Sequence, residues 1–216
     1  MGRPKGSGTS EITAARLLAA AEHEFGAHGF AATRLEDIAA RVGLTRPSLL
    51  HHFAGKEALY TAVVEKLVGR LRLALLDGMT TRGSFPERLS ATVSVFAEHL
   101  IRDPTPARIL VRELQDARPS GQKIIREQVV PLLELAEQFI HQAGVDHLPS
   151  GIDVRATILD VFGAMVLYAV AGPARDALWR TSGEPTADGI ALRNHFVTVA
   201  RQLFVSPVTR QVREVG

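Results

Sequence analysis

The stretch from Thr33 to Leu59 reads TRLEDIAARVGLTRPSLLHHFAGKEAL, and it decides the fold. Thr33 with Glu36 has the spacing of a capping box, in which each side chain serves the other's backbone N–H. Leu35, Ile38, Ala39 and Val42 then fall on one face of a short helix. Gly43 supplies a left-handed turn residue. Thr45 is a good N-cap for a second short helix, and Leu44 and Leu49 hold the two positions of a hydrophobic staple. Pro47 is the second residue of that helix, where its missing N–H costs nothing. Phe53 and Gly55 close it.

Two short helices joined by so tight a turn form a helix-turn-helix. The second can enter a major groove with its N-terminal side chains on base edges and phosphates. Thr45, Arg46, Ser48, His51 and His52 are its candidate contacts. Arg46 can pair with guanine or neutralise a phosphate, and the hydroxyls of Thr45 and Ser48 can reach either. Lys56, at the start of the next helix, is a candidate phosphate clamp, and Thr33 with Arg34 sits at the start of the first short helix.

Upstream, Leu17, Ala21 and Phe25 recur every four residues from about Ser10, with Ala14 and Leu18 alongside, and Gly29 follows as a stop. Residues 1–9 read as a flexible basic arm, with Arg3 and Lys5 as candidate minor-groove contacts. Downstream, a long helix runs from Lys56 to about Met79. Further helical segments are predicted at roughly 86–102, 104–117, 120–143, 152–172 and 186–204. A short segment at 174–181 carries Trp179, and a polar tail follows Val205. No stretch alternates as a strand does. The expected class is all-α, with a three-helix reading domain over 10–56 (helix-turn-helix 34–53) and a helical domain over 57–204.

The order of these residues resembles the N-terminal domain of the TetR/AcrR family. The resemblance rests on Ala20-Ala21, Phe25, Gly29-Phe30, Ala32-Thr33, Ile38-Ala39, Val42 to Thr45, Leu49 to Phe53 and Lys56 to Leu59. It implies a ligand-responsive regulator, most often a repressor, that binds a palindromic double-stranded DNA operator as a homodimer and is released by a small molecule. It also implies dimerisation through the helices at about 152–172 and 186–204. Leu50 and His52 stand where the family often has tyrosines, and Pro47 where it usually has a small residue.

The resemblance places an effector site between about residues 86 and 172. Phe96, His99, Leu100, Arg108, Arg112, Gln115, Phe139, Met165, Tyr168 and Trp179 are its candidates, with the effector itself unknown. Arg108, Arg112 and Gln115 share a helical face. Turned inward they can hold an anion; turned outward they meet solvent or acids such as Glu113 and Asp116. The outward reading is preferred, because an unpaired buried arginine is costly. The alternative function is an all-α small-molecule or lipid-binding protein without specific DNA binding.

Composition narrows the classes further. The 216 residues carry a formal charge of only +2, so charge alone does not demand nucleic acid. Cysteine is absent, which removes disulfides, thiolate zinc sites and thiol nucleophiles. The polar N-terminus lacks the apolar core of a signal peptide. The apolar run Val161 to Ala171 is about half the roughly 20 residues of a membrane span. These features point to the cytoplasm and away from a membrane. No enzyme motif appears, and no cofactor is expected. His23 and His28 are five apart, unlike the four of a zinc-protease helix. His51 and His52 are adjacent and point apart, and His141 with His147 only flanks a loop.

Overall fold

Twenty-two residues into its first helix, the chain meets a backbone conformation that only glycine adopts readily. In the computed structural model, which describes residues 7–116, 118–175, 177 and 189–206, α1 runs Ser7–Ala32 with Gly29 at φ 78° and ψ 173° inside it. The helix starts at Ser7, inside the stretch expected to be a flexible arm. Arg3 and Lys5 lie outside the described residues, as do Trp179 and most of the tail.

The two short helices follow as expected: α2 is Leu35–Arg41 and α3 is Arg46–His52. Between them, Leu44 N donates to Ala39 O at 2.9 Å and Gly43 N donates to Ala40 O at 3.0 Å, with Gly43 at φ 74°. This pair of bonds is a Schellman closure, which satisfies carbonyls that the end of α2 leaves open. The Arg16 guanidinium, from α1, adds a bond to Val42 O at 3.0 Å. Thr45 Oγ1 accepts from Ser48 N and caps α3.

The capping box at Thr33 does not form. α2 begins at Leu35, behind an Arg34 N-cap that makes no side-chain bond. Thr33 is only 3% exposed, and its hydroxyl donates to Gly29 O at 2.7 Å and Glu24 O at 3.2 Å. The chain breaks its helical path at Gly29, and the buried hydroxyl turns back onto carbonyls of α1 instead of capping α2.

The remaining helices are α4 Lys56–Thr80, α5 Phe85–Arg102, α6 Thr105–Asp116, α7 Pro119–Ile124, α8 Val130–Ala143, α9 Val154–Val170 and α10 Gly189–Phe204. The single helix expected over 120–143 is interrupted by a π-helical turn at Ile125–Val129. Pro131 explains it. A proline here offers no N–H to the preceding turn, and a wider turn relieves the crowding of its ring. Among the described residues the secondary structure is entirely helical, as the expected class requires.

Packing divides the chain into two compact units: residues 1–73 with 100–132, and residues 74–99 with 133–216. This partition differs from a boundary at residue 56, because α6 and α7 belong with the helix-turn-helix. In the first unit, Leu17, Ala21, Phe25, Ile38, Leu49, Leu59 and Val63 are wholly buried in one core, which Ile109 of α6 and Ile124 of α7 complete. Leu44 and Val42 pack against its edge. In the second unit, Phe85, Phe139, Val161, Met165, Tyr168, Leu192 and Phe196 are buried. Asp153 caps α9 by accepting from Ala156 N at 2.9 Å, and Arg155 ties α9 to Glu137 of α8 at 2.5 Å. α10 packs on α9, with Tyr168 edge-on to Phe196.

Candidate nucleic-acid interface

Burial of Leu49 orients α3. At about 100° per residue, a wholly buried Leu49 turns Pro47 and His51 outward, with Leu50 and Ser48 on the flanks. Thr45, Arg46, Pro47, Leu50 and His51 are exposed, and Ser48 and His52 are half-buried. The helix therefore presents one continuous outward face, and every expected contact on α3 borders it.

The polar groups on this face have partners. Thr45 Oγ1 lies 3.0 Å from Ser48 Oγ. Arg46 Nη1 lies 3.1 Å from Glu36 Oε1 of α2. Both members of that pair are more than half exposed, so it contributes about 0–1 kcal/mol and is readily exchanged. Glu36, expected to cap α2, instead holds the arginine of the reading helix. The rings of His51 and His52 stand edge to face, with centroids 5.7 Å apart. Arg34 is exposed beside them in sequence terms only, at the start of α2.

Two expected phosphate contacts are placed elsewhere. The Thr33 side chain is buried and spent on backbone carbonyls, so it is withdrawn from the reading face. Lys56 is half-buried, donates from Nζ to Ala31 O at 3.1 Å and lies 4.5 Å from the Phe30 ring centroid. Burial, then the charge of Arg118, pulls its pKa below the usual lysine range. Its ammonium serves the end of α1 first.

Behind the reading face lies a buried polar cluster that periodicity did not reveal. Glu113 of α6, expected as a solvent-facing acid, is 2% exposed. Its Oε1 accepts from the Tyr60 hydroxyl at 2.5 Å and from Arg118. The Arg118 guanidinium covers the Phe30 ring at 4.1 Å. Arg112 is half-buried and turned onto the end of α1. Its guanidinium donates to Phe25 O at 3.0 Å, Gly26 O at 2.9 Å and Ala27 O at 2.9 Å, carbonyls of the turn ahead of the Gly29 break. Gln115 is exposed, Arg108 half-buried and Leu100 buried. The only hint in the sequence was Gly29 itself, which leaves a helix end needing donors.

Of the other effector-site candidates, Phe96, Phe139, Met165 and Tyr168 are buried in the second unit, and His99 is half-buried. Phe96 packs on Phe162 at 5.6 Å. A surface cleft of about 180 Å³ is lined by Arg88, Phe139, Gln142 and Ala143. It takes in one candidate, Phe139, beneath the Arg88 guanidinium. His23 and His28 both flank the Glu24 carboxylate, at 3.4 and 3.6 Å, and Arg41 bonds the same carboxylate at 2.9 Å. Among the described residues no cluster has the makings of a metal site, and no helix is long and apolar enough to cross a membrane.

This arrangement has known counterparts. The model of the bacterial regulatory proteins of the tetR family matches residues 17–63. The HTH-type transcriptional activator FasR of Mycolicibacterium smegmatis is 32% identical over 95 residues, 44% of this chain and 43% of that protein. The chain matches less than half the length of the first curated relatives. Over nearly the whole chain, the fold is that of a bacterial regulatory protein in the tetR family from Rhodococcus RHA1: TM-score 0.71 at 23% identity, covering 90% of this chain and 97% of that one. AibR, in complex with isovaleryl coenzyme A and operator DNA, superposes with a TM-score of 0.65 at 17% identity, over 88% and 97% of the two chains. The tetR-family model thus matches the stretch from α1 into α4, and the fold along the rest of the chain is shared with a solved regulator of that family.

Proposed function

We propose that this protein is a ligand-responsive transcriptional regulator that binds a palindromic DNA operator as a homodimer and, as a repressor, leaves it when a small molecule binds. The observation that carries this reading is the exposed outward face of α3, fixed by the buried Leu49 and the Schellman turn at Gly43. AibR combines operator DNA and an acyl-coenzyme A on the same fold, which supports the coupling of the two sites. FasR is named an activator, so the sense of control depends on where the operator lies in its promoter.

Thr45, Arg46, Ser48, His51 and His52 are proposed to face the DNA, with Arg34 at the start of α2 and Lys56 behind them. A gel shift with duplexes flanking the protein's own gene tests the reading. Specific retention is expected, and Arg46→Ala weakens it and lowers its salt dependence by about two ions, one from each half-site. Absence of any specific complex overturns the reading and favours a small-molecule binder that does not touch DNA.

The homodimer is proposed to form through α9 and α10. Leu159 is 46% and Leu167 54% exposed on one side of α9, and Ile190 and Leu203 are exposed on α10. Large apolar side chains left in water on neighbouring helices are the signature of a surface meant to be covered. Sedimentation of Leu159→Glu/Leu167→Glu is expected to give a monomer where the parent is a dimer. The effector is proposed to bind in the second unit, near Phe96, Phe139, Met165 and Tyr168.

A further inference from the structure

Reading helices commonly present polar side chains, but α3 presents apolar ones as well. Pro47 is exposed, its ring replacing a backbone donor, and Leu50 is 39% exposed. The polar side chains at the start of the helix are turned on their neighbours: Thr45 toward Ser48 and Arg46 toward Glu36. Beside the exposed Thr45 and Arg46, this seven-residue helix thus presents a pyrrolidine ring, the His51 imidazole and, on its flank, an isobutyl group.

We propose that Pro47 and Leu50 read thymine through its 5-methyl group, and so are specificity-determining residues of the DNA interface; this rests on the regulator reading above. The floor of the major groove is polar except at one place. Guanine shows two acceptors, adenine an acceptor and a donor, cytosine a donor, and thymine an acceptor beside a methyl group. An aliphatic side chain gains nothing from the first three, and over cytosine it covers a donor. Only thymine offers it an apolar partner. Burying one methyl against Leu50 or Pro47 favours thymine over the same base without its methyl by about fourfold. His51, beside Pro47 on the helix face, supplies a hydrogen bond to a neighbouring base edge or phosphate. Specificity on this helix is thus carried by shape and methyl contact, with Arg46 released from Glu36 to anchor the register.

The test uses the full chain. Duplexes with randomised centres are selected for binding, and the recovered site is resynthesised with each thymine replaced in turn by deoxyuridine. Deoxyuridine keeps every hydrogen-bonding group and loses only the methyl. The expected result is a loss of about fourfold at one or two thymines in each half-site. Leu50→Ala weakens binding to the parent site and abolishes the deoxyuridine effect at one position, and Pro47→Ala does so at the other. Circular dichroism confirms that each variant is folded, and Leu50→Ser serves if the alanine variant is not. A defined site that is indifferent to deoxyuridine at every thymine overturns the proposal while leaving the regulator intact. So does a deoxyuridine effect that persists unchanged in both variants. Failure to recover any preferred sequence overturns the regulator reading itself, and the proposal with it.

Discussion

The Tyr60 hydroxyl donates to Glu113 Oε1 at 2.5 Å, joining α4, the helix that follows the reading helix, to α6. Both side chains are buried, and Arg118 completes the charge on Glu113. Tyr60→Phe keeps the edge-on ring packing against Phe25 and Phe30 but removes the bond. A loss of about 1–3 kcal/mol is expected in urea unfolding. Glu113→Ala strands the Arg118 guanidinium as well, and its loss is expected to be larger, about 3–5 kcal/mol.

The same bond gives an alkaline signature. In the folded protein, burial and then the Glu113 hydrogen bond and charge hold the Tyr60 pKa above the ordinary range. In the unfolded chain it titrates near 10, so roughly above that pH the unfolded state releases a proton that the folded state keeps. Stability is unaffected below the unfolded pKa and falls above it, by at most about 1.4 kcal/mol per pH unit from this group. Tyr60→Phe lacks the group. The stability gap between parent and variant is therefore expected to narrow between about pH 9 and about pH 11, measured by urea midpoints. A gap that stays constant contradicts this account.

Arg112 finishes α1 from another helix. Replacing it with methionine keeps an unbranched apolar stem and removes all three carbonyl bonds. About 2 kcal/mol of stability is expected to go, since charge-assisted bonds are the stronger kind. Hydrogen exchange should localise the damage: amides of residues 25–33 lose protection, while those of α9 do not.

Gly29 and Gly43 both have positive φ, yet their substitutions are expected to differ. At Gly43, with φ 74°, a Cβ meets nothing within 4 Å, and alanine costs about 1–2 kcal/mol. At Gly29 the ψ of 173° puts the residue in a region open essentially to glycine, and a Cβ also presses on Arg112 Cδ at 3.3 Å. Gly29→Ala is expected to cost about 3 kcal/mol or more, through strain and loss of the Arg112 seat. Thermal unfolding of the two variants side by side decides it.

What could be read in advance was local. The Gly43 turn, the Thr45 cap and the outward face of α3 depend on residues a few positions apart, and the spacing of Leu49 against Pro47 and His51 is enough to find them. Thr33 was misread because its environment is made by the Gly29 break, which turns a capping hydroxyl into a donor toward Glu24 and Gly29. The π-helical turn was legible in Pro131 but lay within a convincing apolar pattern. Arg112 lay beyond local reading: its acceptors are 85–87 residues away along the chain, and no periodicity connects a helix end to a cation on another helix. The engagement of Arg46 by Glu36 likewise depends on the angle between α2 and α3.

The guanidinium of Arg112 also limits what can be done with the reading module as a portable part. A fragment ending after α3 or α4 lacks the donor that closes its first helix, and it lacks Ile109 and Ile124 from its core. A chimera that grafts residues 1–56 onto the body of a relative inherits whatever side chain the relative carries at the Arg112 position. Such a hybrid keeps the end of α1 fully bonded only if the host supplies a matching cation. Modularity in this chain is thus a matter of compatible pairs, and heads cannot be exchanged by their linear boundaries alone.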